Sequence, residues 1–529
     1  MYNYYKKIIP LFILVLIFCI GISIYKDFGI SVDEIGYRHQ GITAIYTITN
    51  YIFPNFVSEI SNSKSWIDIK TLQETQVFSG ILFHILSASL EYLLGFETKE
   101  EVFNFKHLLT FLIFYLGIIF LYFIIKLLTK DYRYALTGVI FIFLSPRIFA
   151  ESFYNPNDIP FMTSIITMTY LNLKFLDKLK TKYLYLSILI SAIAISLRPM
   201  AIYMPFLVFA YLLYFSRVDL INKKNLIKII LIKSFLILIL SFLFNPSLWM
   251  DPFSFILQFK KALNFDIAEI LYMGEFYRNS QTPWHYLFIW SIYTTPVFYI
   301  ILFSFGLTNI ILKLKQLSFN QKKNNSNTHK EIFILLSFLI PFSVAALFSK
   351  SLLNGWRHLY FVYPFFIIIS VIGLNWIFSS LIKIKKIKII VQFLIICFLI
   401  NISHWMYKNH PYQMVYYNFI AGKNLQDKFE HDYWGLTNKG AIKNILKKDT
   451  QDIIKIYGIS GTRLEYTVKF YLDPTSQKRL KIVKNLDEAD YIISIYNGKL
   501  RRKDILNDGY KVFNEIKVDG IAINSTFVK

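Results

Sequence analysis

Eleven apolar runs, separated by short polar connections, decide what this chain can fold into. They lie at roughly 8–26, 107–128, 135–151, 159–176, 183–197, 199–216, 227–245, 288–312, 331–349, 359–381 and 388–405. A helix crosses the hydrocarbon core of a bilayer with about 20 such residues, because lipid offers no partner for an open backbone. The expected fold is therefore mostly α, a polytopic membrane protein of about 11 transmembrane helices. Composition agrees. The 529 residues are 55% hydrophobic and only 17% charged, where a soluble protein carries about 25% charged residues.

A net charge of +23 raises the question of nucleic acid, but the placement of the lysines argues against it. Lys6 and Lys7; Lys126, Lys130 and Arg133; Lys174 to Lys182; Arg217 to Lys228; Lys313 to Lys330; and Lys383 to Lys388 fall on alternate connections. Six basic clusters can thus share the cytoplasmic side, the positive-inside pattern of the inner membrane. The N-terminus is then inside. Connections 27–106, 152–158, the turn at Arg198, 246–287, 350–358 and the tail from 406 face outward. Lys6 and Lys7 before an apolar run resemble a signal peptide, but no small-residue cleavage site follows, so an uncleaved first span is expected. Cys19 and Cys397 both sit within apolar runs, which implies no disulfide framework.

One segment tests this map. Residues 77–95 are apolar enough to span yet contain His84 and Glu91, and a crossing there would put every later lysine cluster outside. An interfacial or re-entrant helix within the first outer loop, 27–106, is expected instead. A second interfacial helix is expected around Phe253 to Leu271. Beyond residue 405 apolar residues fall into short runs at Ile453–Ile459, Leu480–Val483 and Tyr491–Tyr496, after a helical pattern at Gly435–Lys447 and before an alternating stretch at Tyr510–Val528. This predicts two units: a membrane module over 1–405 and a small C-terminal α/β outer domain over 406–529.

The distinctive polar clusters all map to the outer face. Asp33-Glu34 opens the first loop; Glu151-Ser152-Phe153-Tyr154-Asn155-Pro156-Asn157-Asp158 forms the second; Pro283-Trp284-His285 and Asn354-Gly355-Trp356-Arg357-His358 precede later spans; Glu430-His431-Asp432-Tyr433-Trp434 lies in the tail. Adjacent acids near a membrane carry a repulsion and desolvation cost that a task or a cation offsets. Each cluster has a plainer reading as well. Asp33-Glu34 can be a solvated pair, Asn155 and Asp158 a helix cap, Arg357-His358 interfacial anchors and Trp284 part of an aromatic belt. Glu74 and His285 could be metal ligands or simply hydrogen-bonded. What the plain readings do not explain is the shared face. A base, a cation for phosphate and aromatic surfaces at one boundary suit an enzyme acting on a lipid-linked polar group.

On these residues the chain resembles the GT-C integral-membrane glycosyltransferases, bacterial relatives of protein O-mannosyltransferases and of the aminoarabinose transferase that modifies lipid A. The resemblance rests on Asp33-Glu34 just after the first span, on Asp158 in the second outer loop, and on the string Asn155-Pro156-Asn157-Asp158-Ile159-Pro160 with Arg357-His358. It implies inverting transfer from a polyprenyl-phosphate-linked sugar donor to a glycan, lipid or protein acceptor at the outer face of the cytoplasmic membrane. In that scheme Asp33 is the general base, Glu34 orients it or binds a cation, and Asp158 supports the site, with a divalent metal ion as the one cofactor admitted. Arg357, His358 or Arg38, with Asn155, would hold the lipid phosphate. The mannosyltransferases' large central outer domain is absent, which counts against a protein serine or threonine as acceptor. Alternatives are a flippase or transporter for lipid-linked sugars, a polysaccharide polymerase or ligase, and a non-catalytic envelope scaffold. Spans nearly free of acids at their centres argue against transport.

Overall fold

The computed structural model describes residues 2–52, 80–216, 223–250, 252–253, 256, 260, 269–319, 326–348, 352, 354–459, 462–496 and 502–529. Helices cover most of the described part of each apolar run, with breaks at Ser145 and at Thr295-Pro296. The membrane module comprises α1 (Tyr2–Ile24), α2 (Val32–Ile52), α3 (Leu82–Leu94), α4 (Lys99–Thr129), α5 (Tyr132–Phe143), α6 (Pro146–Tyr154), α7 (Asp158–Lys178), α8 (Thr181–Leu197), α9 (Tyr203–Ser216), α10 (Lys223–Leu243), α11 (Tyr286–Thr294), α12 (Val297–Phe319), α13 (Ser326–Phe348), α14 (Tyr363–Trp376) and α15 (Lys385–Lys408). Among the described residues six helical runs are long and apolar enough to cross a membrane, and the bent pair α5–α6 makes a seventh. Leu231, Phe235 and Leu238 on α10, and Phe393 and Ile400 on α15, leave most of their surface uncovered. Faces so apolar need lipid around them. This is a multi-pass membrane protein.

The third expected span is not one helix. α5 and α6 meet at 69°, and the break falls at Ser145-Pro146. Proline lacks the N–H that would continue the ladder, and it disfavours helix in the residue before it. Ser145 Oγ instead donates to the Phe141 carbonyl at 2.7 Å. The bend turns α6, with Arg147 and Glu151, across the bundle rather than through it.

The segment 27–106 is described at 27–52 and 80–106. α3, a 13-residue helix, is about 20 Å long at 1.5 Å per residue, too short to span. It packs on α2, where a Cβ at Gly41 would come within 2.3 Å of the His84 carbonyl oxygen. Only glycine permits that approach. The pair is locked by Arg38, whose Nε and Nη2 reach Glu91 at 2.9 and 2.5 Å. Most of the second expected interfacial helix falls outside the described residues; its far end, Leu271, lies in strand β1 (Glu269–Tyr272), which forms a hairpin with β2 (Glu275–Arg278).

The tail packs in two parts. Met414, Val415, Tyr417, Leu425, Phe429, Tyr433, Trp434 and Leu436 belong to the same buried core as the membrane helices. Beyond them come α16 (Asn438–Lys448), β3 (Ile454–Gly458), α17 (Leu464–Tyr471), α18 (Pro474–Arg479), β4 (Leu480–Ile482), β5 (Tyr491–Ser494), α19 (Arg502–Asn507), β6 (Lys511–Val518) and β7 (Ile521–Val528). They build a five-stranded sheet of order β4-β3-β5-β7-β6, parallel from β4 to β5 and antiparallel thereafter. One face carries Ile442, Ile445, Ile456 and Leu464, the other Ile459, Ile492, Ile505 and Phe527. Lys439 ties this body to the membrane module by donating to the carbonyls of Lys26 and Phe28 at 2.7 and 3.1 Å.

Candidate active site

The site begins at the N-terminus of α2. Ser31 precedes the helix and Glu34 stands three residues on. Glu34 Oε2 accepts the Ser31 N–H at 2.7 Å, which satisfies a donor the helix start would orphan. Its carboxylate is fully buried and lies 3.1 Å from His107 Nε2 on α4. Glu34 therefore faces inward. Its contacts join the start of α2 to α4, while the neighbouring Asp33 is the more exposed of the two acids.

Asp33 keeps a third of its side chain exposed and accepts a hydrogen bond from Arg357 Nη1 at 3.1 Å. Arg357 follows a left-handed pair, Asn354 and Gly355, with φ of 52° and 77°. Its guanidinium lies 4.3 Å from the centroid of the Trp434 ring. Trp434 is held by its own backbone, whose carbonyl accepts the Val32 N–H at 3.1 Å. A Cβ at Gly29 would come within 2.5 Å of the Leu436 carbonyl oxygen, so glycine there is what lets the tail cross over the start of α2. Asp33, Arg357 and Trp434 come from three distant parts of the chain and meet at one point.

A second acid–arginine pair lies beside the first. Asp158, at the start of α7, is buried and paired with Arg198 at the end of α8. Asn155 donates to both Glu151 Oε2 at 2.7 Å and Asp158 Oδ2 at 2.9 Å, and its Oδ1 accepts the Asp158 N–H at 3.0 Å. Glu151 also accepts from the hydroxyls of Tyr433 and Tyr360 at 2.9 and 3.1 Å. Tyr37 joins the two pairs. Its hydroxyl accepts from Asn157 at 3.1 Å, and its phenol is pushed up to about 12 by burial, then by Asp33, with Asp158 adding to the shift and Arg357 and Arg198 opposing it. The phenol thus feels the charges of both pairs.

Of the other residues singled out in the sequence, His358 is half-buried beside Arg357. Arg38 is corrected: its buried bidentate pairing with Glu91 makes it a tie between α2 and α3. Asn155 is fully buried and bridges the carboxylates of Glu151 and Asp158. His285 bonds through Nδ1 to the Tyr272 hydroxyl at 2.6 Å, and among the described residues no group of three or more His, Cys, Asp or Glu side chains is placed to hold a metal ion. Glu74 lies outside the described residues. Arg198, Glu151 and Tyr37 had been given no role. Arg198 carried a signal, as a lone basic residue on an outward connection, against the positive-inside trend.

The sequence matches the profile of the dolichyl-phosphate-mannose-protein mannosyltransferase family over residues 89–244, a stretch that contains Asp158 and Arg198 but not Asp33 or Arg357. No curated protein matches it. The structure of the Archaeoglobus fulgidus oligosaccharyltransferase in the apo form superposes at TM-score 0.50 with 12% identity, over 92% of this chain and 66% of that one. The fold is GT-C. The same oligosaccharyltransferase tethered with an acceptor peptide gives TM-score 0.49 and 13% identity over 92% and 65% of the two chains. ArnT from Cupriavidus metallidurans bound to undecaprenyl phosphate gives 0.45 and 12% over 97% of each. Within this GT-C fold the two acid–arginine pairs sit where α2, α7, the start of the α14 segment and the returning tail converge.

Proposed function

We propose that the protein is a glycosyltransferase that moves a sugar from a polyprenyl-phosphate donor to an acceptor hydroxyl at the outer face of the cytoplasmic membrane, with inversion. The acceptor is an envelope glycolipid, polysaccharide or protein. The N-terminus lies inside and the α/β body outside. The observation that carries this reading is Asp33, partly open to solvent and paired with an arginine stacked on Trp434. A base needs access to its proton, and the leaving phosphate needs a planar cation near the same point.

In the proposed step the acceptor oxygen attacks the anomeric carbon from the face opposite the phosphate, and Asp33 takes its proton. The bond from the anomeric carbon to the phosphate oxygen breaks, and its electron pair leaves on the lipid phosphate. Arg357 stabilises that charge. Its Nε, buried and without a hydrogen-bond partner among the described residues, is a donor held in reserve for it. Asp158 and Arg198 lie beside this pair, and the buried Trp434 and Tyr433 hold Arg357 and Glu151 in place. The same family and fold matches support a lipid-linked donor.

The test is transfer of radiolabelled sugar from polyprenyl-phosphate donors in membranes carrying the wild-type or Asp33→Asn protein, with the product's anomeric configuration read by NMR. Loss of transfer in Asp33→Asn and an inverted anomer are expected. Undiminished transfer by Asp33→Asn would overturn the assignment. Intact lipid-linked sugar accumulating on the inner leaflet of a deletion strain would point to a flippase instead.

A further inference from the structure

At the other end of α7 the helices form an open recess of about 540 Å³ whose charged lining is the exposed Lys126 and Lys130 at the end of α4, Lys174 and Asp177 on α7, and Lys330 on α13. Four ammonium groups face one carboxylate. Lys330, itself buried, is already paired with Asp177, so three lysines are in excess. Asp158 and Asp177 stand nineteen residues apart on one helix, roughly 28 Å at 1.5 Å per residue. The recess is thus separate from the acid–arginine site, and it lies on the lysine-rich side of the membrane.

Apart from Asn327 on α13, which donates to the Leu128 carbonyl at 3.1 Å, its remaining wall is apolar. Phe123 and Leu127 complete the α4 side and Tyr170 the α7 side. Phe123 and Tyr170 rings lie 5.6 Å apart, and Phe123 is two-fifths exposed toward the surrounding lipid. Basic groups in a recess between helices, continuous with an exposed aromatic wall, match a phosphate head joined to an acyl chain. A soluble polyphosphate would use the lysines and leave the wall empty. We infer that this recess binds the head group of an anionic phospholipid of the inner leaflet, with a chain along Phe123 and Tyr170.

The experiment uses the full-length protein in nanodiscs of phosphatidylcholine with a minority of phosphatidylglycerol or cardiolipin, and reads retained lipid by native mass spectrometry. The wild type retains the anionic lipid preferentially, and rising salt releases it. Lys126→Gln/Lys130→Gln/Lys174→Gln, which leaves the Lys330–Asp177 pair intact, lowers that preference about 100-fold, given the usual contribution of each lysine near a membrane surface. The matching triple arginine variant, which keeps the charge, retains it and controls for damage to the fold. Three results overturn the inference: equal retention by the glutamine variant, retention by the wild type that ignores salt, or displacement of the lipid by inorganic pyrophosphate, which would mark a site for soluble phosphate.

Discussion

Asp33 and Arg357 are 324 residues apart in the chain and meet at 3.1 Å. The carboxylate stands on the first turn of α2 and the guanidinium at the mouth of the α14 segment, with Trp434 beneath it. Everything proposed about chemistry turns on that meeting.

Asp33→Asn keeps the size of the side chain and an oxygen for Arg357 to donate to, but not the ability to take a proton. A positioned general base typically contributes on the order of 10² to 10⁴ in rate. The expected outcome is a fall in kcat of about 10³-fold with an unchanged KM for donor and an unchanged melting temperature. A matching fall in stability would assign Asp33 a structural task instead.

Arg357→Lys retains charge and loses the planar group that both stacks on Trp434 and reaches Asp33. A lysine offers a point charge without the fork geometry that suits a phosphate. Transfer assays with varied donor concentration should show KM raised about tenfold or more, from the loss of roughly 1–2 kcal/mol of stacking and bidentate binding. Full activity in this variant would remove the phosphate-holding role.

Arg38 and Glu91 form a buried pair that holds the interfacial helices together, with side-chain exposures of 3% and 6%. Removing one partner strands the other charge, and Glu91→Ala should cost about 3–5 kcal/mol. Arg38→Met with Glu91→Leu should recover most of it, since well-packed apolar replacements of a buried pair are often neutral. Thermal unfolding of the purified protein in detergent distinguishes the two; equal losses would mean that the charges themselves stabilise the fold.

Tyr37 supplies a pH test. Its folded-state value of about 12 exceeds the usual 10, so the native protein keeps a proton that the unfolded chain gives up. Stability from this group is complete below pH 10 and declines as pH rises from 10 toward 12. Comparing the wild type with Tyr37→Phe across that window should show the difference in unfolding free energy narrowing or reversing with pH. A pH-independent difference would mean that Asp33 and burial do not hold the phenol neutral.

The residues that sequence reasoning read well are those whose meaning is local. The strands at Ile454–Gly458 and Tyr491–Ser494 are legible as short apolar runs between polar turns. The contact of Glu34 with His107, 73 residues away, is not legible in the sequence. No pattern within α2 distinguishes an acid that faces a cavity from one that faces a neighbouring helix. The pairing of Arg38 with Glu91, 53 residues on, is equally invisible to local pattern. The break at Ser145-Pro146 was visible as a proline but had been counted within one span, since hydropathy does not register a change of direction.

By itself the sequence determined that this chain lives in a membrane, which segments are helical, which ends of them carry the lysines, and that a small α/β body ends the chain. Those follow from transfer free energy and backbone hydrogen bonding, which act on each segment alone. Only the tertiary structure decided which charges meet. The pairing of Asp33 with Arg357, the linking of Asp158 to Glu151 through Asn155, and the return of Trp434 over Gly29 all depend on packing between segments far apart in sequence. Two charges far apart in sequence interact only where packing brings them within a few ångströms, and that packing is a property of the folded whole.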